Sequence, residues 1–283
     1  MTNMSWWQAL ILGVVEGLTE YLPISSTGHL ILVAQLLGFG DTADRWRAVF
    51  TFNIVIQAGA IAAVLGLYWR RCRQMVLGVM GQDPAGLKLL FRLALAFLPA
   101  AIIGPFLRND IKDYLNGPWP VVAALFVGAW LMIAVGMNRK LLGERAQRDL
   151  EDITIPMALL IGFGQCIAMW PGTSRSMMTI VAALLLGLRA KPAAEFSFLL
   201  GLITLGAATA YEAHQDGQVM FEEFGLLPIL VGFAASTISA AVAIYWFVGF
   251  LNKYGLAPFG WYRLVVAMLF SILLLAGLVC LPG

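Results

Sequence analysis

The N-terminal region contains the stretch Glu16-Gly-Leu-Thr-Glu20-Tyr-Leu-Pro-Ile-Ser25-Ser26-Thr27-Gly-His29, a polar interruption in an otherwise apolar sequence. Two carboxylates, two serines and one of the chain's two histidines fall within these fourteen residues, whereas the flanks, 9–15 and 30–37, are almost wholly apolar. Proline breaks a helix, and ionisable side chains in an apolar segment are costly unless they serve a function. The stretch therefore predicts a broken helix and a functional site at the same place.

The composition is that of an integral membrane protein. Of the 283 residues, 60% are hydrophobic and 12% are charged, and the mean hydropathy is +0.84, whereas soluble domains are about half apolar and about a quarter charged. The net charge of +2 is too small to indicate a nucleic-acid partner. The three isolated cysteines indicate neither a disulfide framework nor a thiolate metal site.

Six stretches are apolar and long enough to cross a bilayer as helices, which takes about 20 residues: 48–69, 87–107, 118–138, 193–213, 224–251 and 261–281. Two further apolar regions, 4–39 and 154–188, are interrupted at Pro23–His29 and Pro171–Ser176. Each half is too short for a full crossing, so each region is predicted to be a re-entrant hairpin that enters and leaves on one side. The predicted fold is an all-α integral membrane protein with six transmembrane helices and two re-entrant hairpins.

The two interrupted regions resemble each other at a constant offset of 149 residues. The offset aligns several residues, including Gly13 with Gly162, Glu16 with Gln165 and Ser25 with Ser174. Each copy would contain one hairpin and three spans, and because three is odd, the second copy would be inverted relative to the first. The chain is expected to be one transmembrane catalytic domain, 1–283, with repeats at about 1–140 and about 150–283 joined near 139–152.

Basic residues orient the spans, because cytoplasmic loops carry an excess of Lys and Arg. Thirteen of the eighteen basic residues fall on one side of the predicted membrane: Arg70, Arg71, Arg73, Lys88, Arg92, Arg139, Lys140, Arg145, Arg148, Arg189, Lys191, Lys253 and Arg263. The other side includes an acidic loop, Glu212–Glu223, without Lys or Arg. We therefore expect both termini and the mouth of the first hairpin on the outer side, with the two hairpin tips meeting near the midplane.

Glu16 and Glu20 are four residues apart, which on a helix places them on one face with about 5–6 Å between their Cβ atoms. Unpaired carboxylates in an apolar hairpin are energetically expensive. A divalent cation with oxygen ligands is their expected partner. The alternative is a pair of solvated or protonated glutamates.

After the break, Ser25 or Ser26 is expected to cap the next half-helix, whose free N–H groups would face the hairpin tip. Ser26 and His29 are three residues apart and can share a face of its first turn. A hydroxyl beside an imidazole is a pairing that serves nucleophilic catalysis. The alternative is a serine that only caps the helix.

In the second interrupted region, Gly172 allows close backbone approach, and Thr173 and Ser174 can cap a helix. Arg175 is predicted to be the sole basic side chain at membrane depth. Its planar guanidinium matches phosphate, and the alternative is an ion pair with one of the two glutamates, which can alternate with ligand binding. Together these groups suit a phosphorylated lipid, and the carboxylates predict Mg²⁺ or Ca²⁺ bridging to its phosphate oxygens.

The stretches Glu16–His29 and Pro171–Thr179 strongly resemble the two signature motifs of the bacterial undecaprenyl-diphosphate phosphatases of the bacitracin-resistance type. The similarity runs over nearly the full length and includes Ile56-Gln57 and Tyr262-Arg263. The resemblance implies a multi-pass enzyme of the bacterial plasma (inner) membrane that removes the terminal phosphate from undecaprenyl diphosphate, regenerating the carrier lipid for peptidoglycan synthesis. Bacitracin would compete by sequestering this lipid substrate, and we expect either a monomer or a homodimer.

The resemblance also assigns roles to residues of both motifs. It implies the catalytic set Glu20, Ser26, His29 and Arg175, with Glu16 and Glu20 as metal ligands. Phosphate would be bound by Ser25, Thr27, Gly172, Thr173, Ser174, Ser176 and Thr179. Three further residues are expected near the pocket: Gln57, Gln165 and Trp170.

Three nucleophiles stay open: Ser26 with His29 as general base, His29 itself, or a metal-bound water. The strongest rival function is a polyprenyl-phosphate transporter or flippase, because inverted repeats with broken helices are also transporter architecture. Two other classes are less favoured. The second superfamily of membrane lipid phosphatases has motif elements that are missing here, and an intramembrane serine protease would have no use for the two glutamates.

Overall fold

The structure, a computed structural model, describes residues 4–39, 43–115, 117–138 and 147–278, and only the backbone at 43–48, 108–110, 112–113 and 215–223. Over these residues the chain forms eleven α-helices and no strand: α1 Trp6–Glu20, α2 Ser26–Leu36, α3 Ala43–Leu67, α4 Trp69–Val79, α5 Pro84–Asp110, α6 Pro118–Met137, α7 Ile155–Ile167, α8 Arg175–Leu185, α9 Ala190–Phe224, α10 Leu226–Tyr254 and α11 Ala257–Leu275. A π-helical turn, Ile111–Leu115, follows α5, and a 3₁₀ turn, Leu150–Asp152, precedes α7. The fold is therefore all-α, as predicted.

Six of these helices contain segments long and apolar enough to cross a membrane: Val49–Leu67, Pro84–Leu107, Pro118–Met137, Ala190–His214, Leu226–Tyr254 and Ala257–Leu275. All six predicted spans are thereby confirmed. Several helix boundaries differ from the prediction, including the end of α9 and the start of α11. The helix α9 continues to Phe224, so the predicted loop Glu212–Glu223 is wrong and that segment is helical. The helix α11 begins at Ala257 because Pro258 fits a first helical turn, where no amide donor is needed.

Both interrupted regions form two short helices with a break between them. Tyr21–Ser25 separates α1 from α2, and Ala168–Ser174 separates α7 from α8. The helix after each break begins directly after a predicted capping serine: the side chains of Ser25 and Ser174 accept hydrogen bonds from amides of the first turn. These two serines, at φ 72° and 75°, are the only non-glycine residues with positive φ in the described part of the chain.

The helices that lead into the two breaks pack closely against other spans. The helix α1 lies along α10, and α7 lies along α5. Glycines permit both contacts. A Cβ at Gly13 would lie 2.5 Å from the Gly232 carbonyl oxygen, and a Cβ at Gly162 would collide with the Ala96 carbonyl oxygen. In addition, α3 contacts α9 and α6 contacts α11.

The short helix α4 escapes the sequence prediction because it is too short and too charged to be recognised as a span. It carries Arg71, whose guanidinium binds the carboxylates of Glu195 on α9 (2.7 Å) and of Glu151 in the 3₁₀ turn (3.3 Å). Arg92 of α5 is buried and donates to the Glu151 carbonyl oxygen (2.9 Å). These bonds tie α4, α5 and α9 together at the end of the bundle that carries predicted cytoplasmic charges.

Some predictions fall outside the described residues. The predicted junction of the two repeats is described only from residue 147 onward, so Arg139, Lys140 and Arg145 lie outside. Residues 1–3 and 279–283 also lie outside, and with them both termini.

The contact of α7 with α5 predicts that Gly162→Ala destabilises the protein. The added Cβ would meet backbone, which cannot move aside, and overpacking of this kind costs about 1–3 kcal/mol. The control is Gly206→Ala in α9, where a Cβ would meet nothing within 4 Å. Unfolding by sodium dodecyl sulfate in mixed micelles measures both, and equal effects of the two changes would refute the close contact.

Candidate active site

The two breaks meet at the carboxylate of Glu20, the last residue of α1. Its Oε2 accepts a hydrogen bond from Ser26 Oγ (2.6 Å), at the start of α2. Its Oε1 accepts one from Arg175 Nη2 (3.0 Å), at the start of α8. The structure therefore joins a hydroxyl, a carboxylate and a guanidinium, which are three of the four residues predicted to be catalytic.

The Arg175 guanidinium is held by groups from two distant parts of the chain. Its Nη1 donates to the Ser197 carbonyl oxygen of α9 (3.0 Å), and its central carbon lies 5.4 Å from the centre of the Tyr21 ring. Gly201 provides the necessary space, because a Cβ there would collide with the guanidinium. The buried Nε has no hydrogen-bond partner, so one donor is left for a further acceptor.

The ion pair that the sequence offers as the alternative partner of Arg175 is present, and it is made with Glu20. The two side chains are only 10% and 8% exposed. Burial strengthens the attraction between the charges but also imposes a desolvation cost. Loss of either side chain would therefore leave the charge of the other buried without a partner.

His29 has partners other than the predicted one. Its Nδ1 lies 2.7 Å from the Ser25 carbonyl oxygen, to which it must donate, and its Nε2 lies 2.8 Å from the hydroxyl of Tyr262. Ser26 Oγ donates to Glu20 instead. The predicted pairing of Ser26 with His29 is therefore not made, because the Ser25 carbonyl, four residues before the imidazole on the same helical face, binds the ring. His29 and Tyr262 both line an apolar cavity of about 580 Å³.

Ser26 lines a different cavity, of about 120 Å³, together with Glu16, Thr27, Asn53 and Gln57. Glu16 is 2% exposed, and its Oε2 has no hydrogen-bond partner. Asn53 Oδ1 is also buried and unpartnered. Buried polar atoms are nearly always hydrogen-bonded, so these two oxygens indicate a place where a bound group completes the site.

The oxygen donors in this cavity fit a divalent cation. Carboxylate and amide oxygens are the ligands that Mg²⁺ and Ca²⁺ prefer, and Glu16 and Asn53 offer two of them. Over the described residues, no group of three or more His, Cys, Asp and Glu side chains could hold a metal ion. A cation here would need further oxygens from substrate or water, as Mg²⁺ commonly does.

Hydroxyls of the second break and α8 join the two halves of the site. Ser176 Oγ donates to the Leu22 carbonyl oxygen of the first break (2.9 Å), and it lies 3.0 Å from Ser174 Oγ. Thr179 Oγ1 lies 2.6 Å from Ser197 Oγ. Ser176 and Thr179 are fully buried, so both are bonded to protein groups beneath the site.

Other predicted residues contact neighbouring helices. Gly172 (φ 92°) approaches α6 closely, since a Cβ there would lie 2.7 Å from the Val121 carbonyl oxygen. Trp170 Nε1 donates to the Pro120 carbonyl oxygen (3.1 Å). Gln165 is buried, and its Oε1 accepts from a threonine hydroxyl of α9 (3.2 Å). These contacts place the second break against α6 and the end of α7 against α9.

Arg263 is a site residue that the charge pattern misplaces. The pattern assigns Arg263 to a loop and leaves Arg175 as the sole basic residue at membrane depth, and both predictions are wrong. Arg263 lies within α11 and has no exposed surface, and its guanidinium donates to carbonyl oxygens of the second break. The sequence did contain a signal for Arg263, because a charged residue inside an apolar span usually marks a functional site. Asn53, Ser197 and Gly201 carried no comparable signal.

These features define a class of protein: a multi-pass α-helical membrane protein with a buried hydroxyl–carboxylate–guanidinium site between two broken helices. The family model described as "Bacitracin resistance protein BacA" matches residues 9–269. The chain belongs to this family.

Similar proteins from several bacteria cover almost the whole chain. One from Sorangium cellulosum, named undecaprenyl-diphosphatase, is 46% identical over 267 residues, which is 94% of this chain and 85% of that protein. Proteins with the same name from Rhodopseudomonas palustris and Solidesulfovibrio magneticus are 40% and 42% identical, over 95% and 92% of this chain and 97% and 94% of theirs.

The buried ion pair predicts a large effect of Glu20→Ala on stability. Removing one partner leaves the Arg175 charge buried without compensation, which costs about 3–5 kcal/mol of unfolding free energy. The double change Glu20→Gln with Arg175→Met removes both charges and should cost less. Detergent unfolding measures these values.

The control for this prediction is Asp149→Asn. It weakens the pair of Asp149 with Arg189, whose side chains are about half exposed, and an exposed pair contributes about 0–1 kcal/mol. A loss for Glu20→Ala no greater than that of the control would contradict the stabilising role of the buried pair.

Proposed function

We propose that this protein hydrolyses undecaprenyl diphosphate to undecaprenyl phosphate and inorganic phosphate, and so recycles the carrier lipid for peptidoglycan synthesis. Membership of the bacitracin-resistance family and the name shared by the relatives support this reaction. The observation that carries the proposal is the chain of hydrogen bonds from Ser26 through Glu20 to Arg175. Bacitracin would oppose the reaction by sequestering its substrate.

The mechanism follows from the hydrogen bond between Ser26 and Glu20. Ser26 Oγ attacks the terminal phosphorus while its proton passes to Glu20 Oε2, 2.6 Å away. The bond from this phosphorus to the bridging oxygen breaks, and undecaprenyl phosphate leaves with the electron pair. Water then attacks the phosphorus of the phosphoserine, and the bond from this phosphorus to Ser26 Oγ breaks. Glu20 returns its proton to Ser26 Oγ, the water gives up one proton to solvent, and inorganic phosphate departs with the water oxygen. Glu20 thus takes the general-base role that the sequence predicts for His29.

Arg175 supplies the positive charge that the transferring phosphoryl group requires. Without substrate it pairs with Glu20, and its buried Nε stays available. Phosphate oxygens match the planar fork of a guanidinium. As Glu20 accepts the proton from Ser26, the attraction between Glu20 and Arg175 weakens, which frees the guanidinium to stabilise the phosphoryl group.

Ser26 is favoured over His29 as nucleophile because of the cavities that they line. Ser26 shares its cavity with Glu16, whereas His29 faces the apolar cavity beside Tyr262. A phosphate near the carboxylates therefore meets the hydroxyl first. Both ring nitrogens of His29 already have hydrogen-bond partners, the Ser25 carbonyl oxygen and the Tyr262 hydroxyl.

Glu16, Glu20 and Asn53 are proposed to hold Mg²⁺ or Ca²⁺ together with phosphate oxygens. When bound, such a cation would neutralise negative charge that Arg175 alone cannot balance. The unpartnered oxygens of Glu16 and Asn53 support this assignment. Before substrate binds, the two side chains hold these oxygens in the cavity beside Ser26.

The architecture is proposed to be an inverted repeat with two re-entrant hairpins. Matching features 149 residues apart support it: the positive-φ caps Ser25 and Ser174, and the tightly packed Gly13 and Gly162. Basic residues at one end of the bundle support a plasma-membrane orientation with the mouth of the site outside. Labelling of single cysteines from each side of the membrane would test this orientation.

A transport function is not favoured, since the named relatives are diphosphatases.

Purified protein in detergent is expected to release phosphate from undecaprenyl diphosphate, and Ser26→Ala should lower turnover by on the order of 10³-fold or more. Glu20→Gln and Arg175→Lys should also lower it, because each removes one link of the hydrogen-bonded chain. The control is Ser271→Ala, whose hydroxyl only bonds the Ala267 carbonyl oxygen within α11. Acid quenching with labelled substrate should trap phosphate on the wild type. Phosphate trapped on the Ser26→Ala protein would exclude serine as the nucleophile.

The proposed cation site predicts that a chelator abolishes turnover and that added Mg²⁺ or Ca²⁺ restores it. Glu16→Gln should raise the cation concentration needed for half-maximal rate, since an amide binds divalent cations more weakly than a carboxylate. The control is Glu195→Gln, a carboxylate that binds Arg71 outside the cavity. Turnover that persists in chelator would remove the metal from the proposal without affecting the hydrolytic assignment.

A further inference from the structure

We infer that Arg263 is a positioning residue for the phosphate site: it fixes the backbone of the second break so that Ser174 and Arg175 face the substrate. The inference rests on the proposed hydrolysis and adds a residue of α11 to the two motifs. It is carried by an unusual set of contacts, in which a fully buried guanidinium binds main-chain carbonyls on two separate elements.

Two of these carbonyls belong to the second break. Arg263 Nη1 donates to the Thr173 oxygen (2.9 Å), and Nη2 donates to the Gly172 oxygen (2.9 Å). Both acceptors directly precede Ser174, the cap of α8, and Arg175 follows it. Movement of this turn would therefore move the cap and the substrate-binding guanidinium together.

The other two carbonyls belong to α6, which acts as the support. Nη2 also donates to the Ala124 oxygen (2.9 Å), and Nε donates to the Leu125 oxygen (3.3 Å). Arg263 thus bridges a regular helix and an irregular turn. A planar group with five fixed donors can make such a bridge, whereas the single ammonium of lysine cannot reach acceptors on both sides in the same geometry.

The turn needs an external support because its backbone is unusual. Gly172 has φ 92° and Ser174 has φ 75°, and a positive φ at a residue other than glycine costs energy, so that it persists only where surrounding contacts enforce it. A buried charge is also costly without compensation. The strained Ser174 backbone and the buried Arg263 charge occur together, and we attribute this to the role of the turn in positioning the groups that bind phosphate.

The packing around the Arg263 guanidinium offers a second way to test its role by mutation. Gly128 of α6 makes room for it, because a Cβ there would lie 2.5 Å from Arg263 Nη2. The neighbouring Tyr262 binds His29 of the first half of the site. One turn of α11 thereby contacts both halves of the site, and Gly128→Ala can disturb the guanidinium without removing its charge.

The test compares Arg263→Lys with wild type in phosphate release from a prenyl diphosphate and in inhibition by inorganic phosphate. We expect kcat/KM to fall roughly 10- to 100-fold, because a small misplacement of a site costs this much. The inhibition constant for phosphate should rise in parallel. A smaller folded fraction would lower kcat while leaving KM and the inhibition constant unchanged, so these constants separate positioning from misfolding.

The matched control is Arg92→Lys. Arg92 is also a buried arginine that donates to main-chain carbonyls, those of Leu150 and Glu151, but it lies outside both motifs. We expect it to lower thermal stability and to leave KM and phosphate inhibition as in wild type. If Arg263→Lys behaves in the same way as Arg92→Lys, the inference is overturned while the proposed hydrolysis stands.

Two further variants keep the test decisive if Arg263→Lys folds poorly. Gly128→Ala should reproduce the rise in KM and in the inhibition constant. In the double variant Gly128→Ala with Ser174→Ala, KM and the inhibition constant should rise by less than the product of the two single-variant increases, because both changes act on one turn. Unchanged constants in Gly128→Ala, or fully multiplicative effects in the double variant, would contradict the inference. Absence of phosphate release by the wild-type protein would instead reject the proposed function.

Discussion

The buried contact of Glu20 with Arg175 is the interaction on which the rest of the site depends. Neither charge would be tolerated alone in so apolar an environment, and the pair is retained because two helix ends converge on it. That convergence requires both breaks: one ends α1 at Glu20 and the other begins α8 at Arg175. The close packing of α1 on α10 and of α7 on α5 then holds these ends in position.

Several residues of the candidate site carry unsatisfied polar atoms. Among the described residues, six buried side-chain polar atoms lack hydrogen-bond partners, and four of them are Glu16 Oε2, Tyr21 Oη, Asn53 Oδ1 and Arg175 Nε. Unsatisfied atoms are expected to be rare and scattered in a folded protein. Glu16 and Asn53 line the cavity beside Ser26, and Arg175 lies against Tyr21, so these four atoms indicate a site suited to a ligand with both acceptor oxygens and positive charge, which a phosphate with its cation provides.

The sequence predicts the parts of this structure that depend on local composition. Apolar length identified the six spans, and proline with glycine located the breaks that carry Ser26 and Arg175. Features that depend on tertiary contacts could not be predicted from the sequence. The general base for Ser26 is the acceptor that lies nearest to it in space, the Glu20 carboxylate. The spacing of Ser26 and His29 in the sequence could not show that the Ser25 carbonyl oxygen binds the His29 ring. Arg263 shows the same limit, because charge counting treats an arginine near a span end as a loop residue, whatever carbonyls it faces inside.

The proposed repeat explains why the catalytic groups come from equivalent positions. Ser26 and Arg175 are 149 residues apart, and each opens the helix that follows a positive-φ serine cap. Both side chains bind the same carboxylate, one on each oxygen. A twofold relation brings equivalent positions together only near its axis, so the first residues of the two half-helices are where a repeat protein can assemble an asymmetric site. Divergence at that position, to a hydroxyl in one copy and a guanidinium in the other, supplies a nucleophile and a phosphate-binding group on opposite sides of one base.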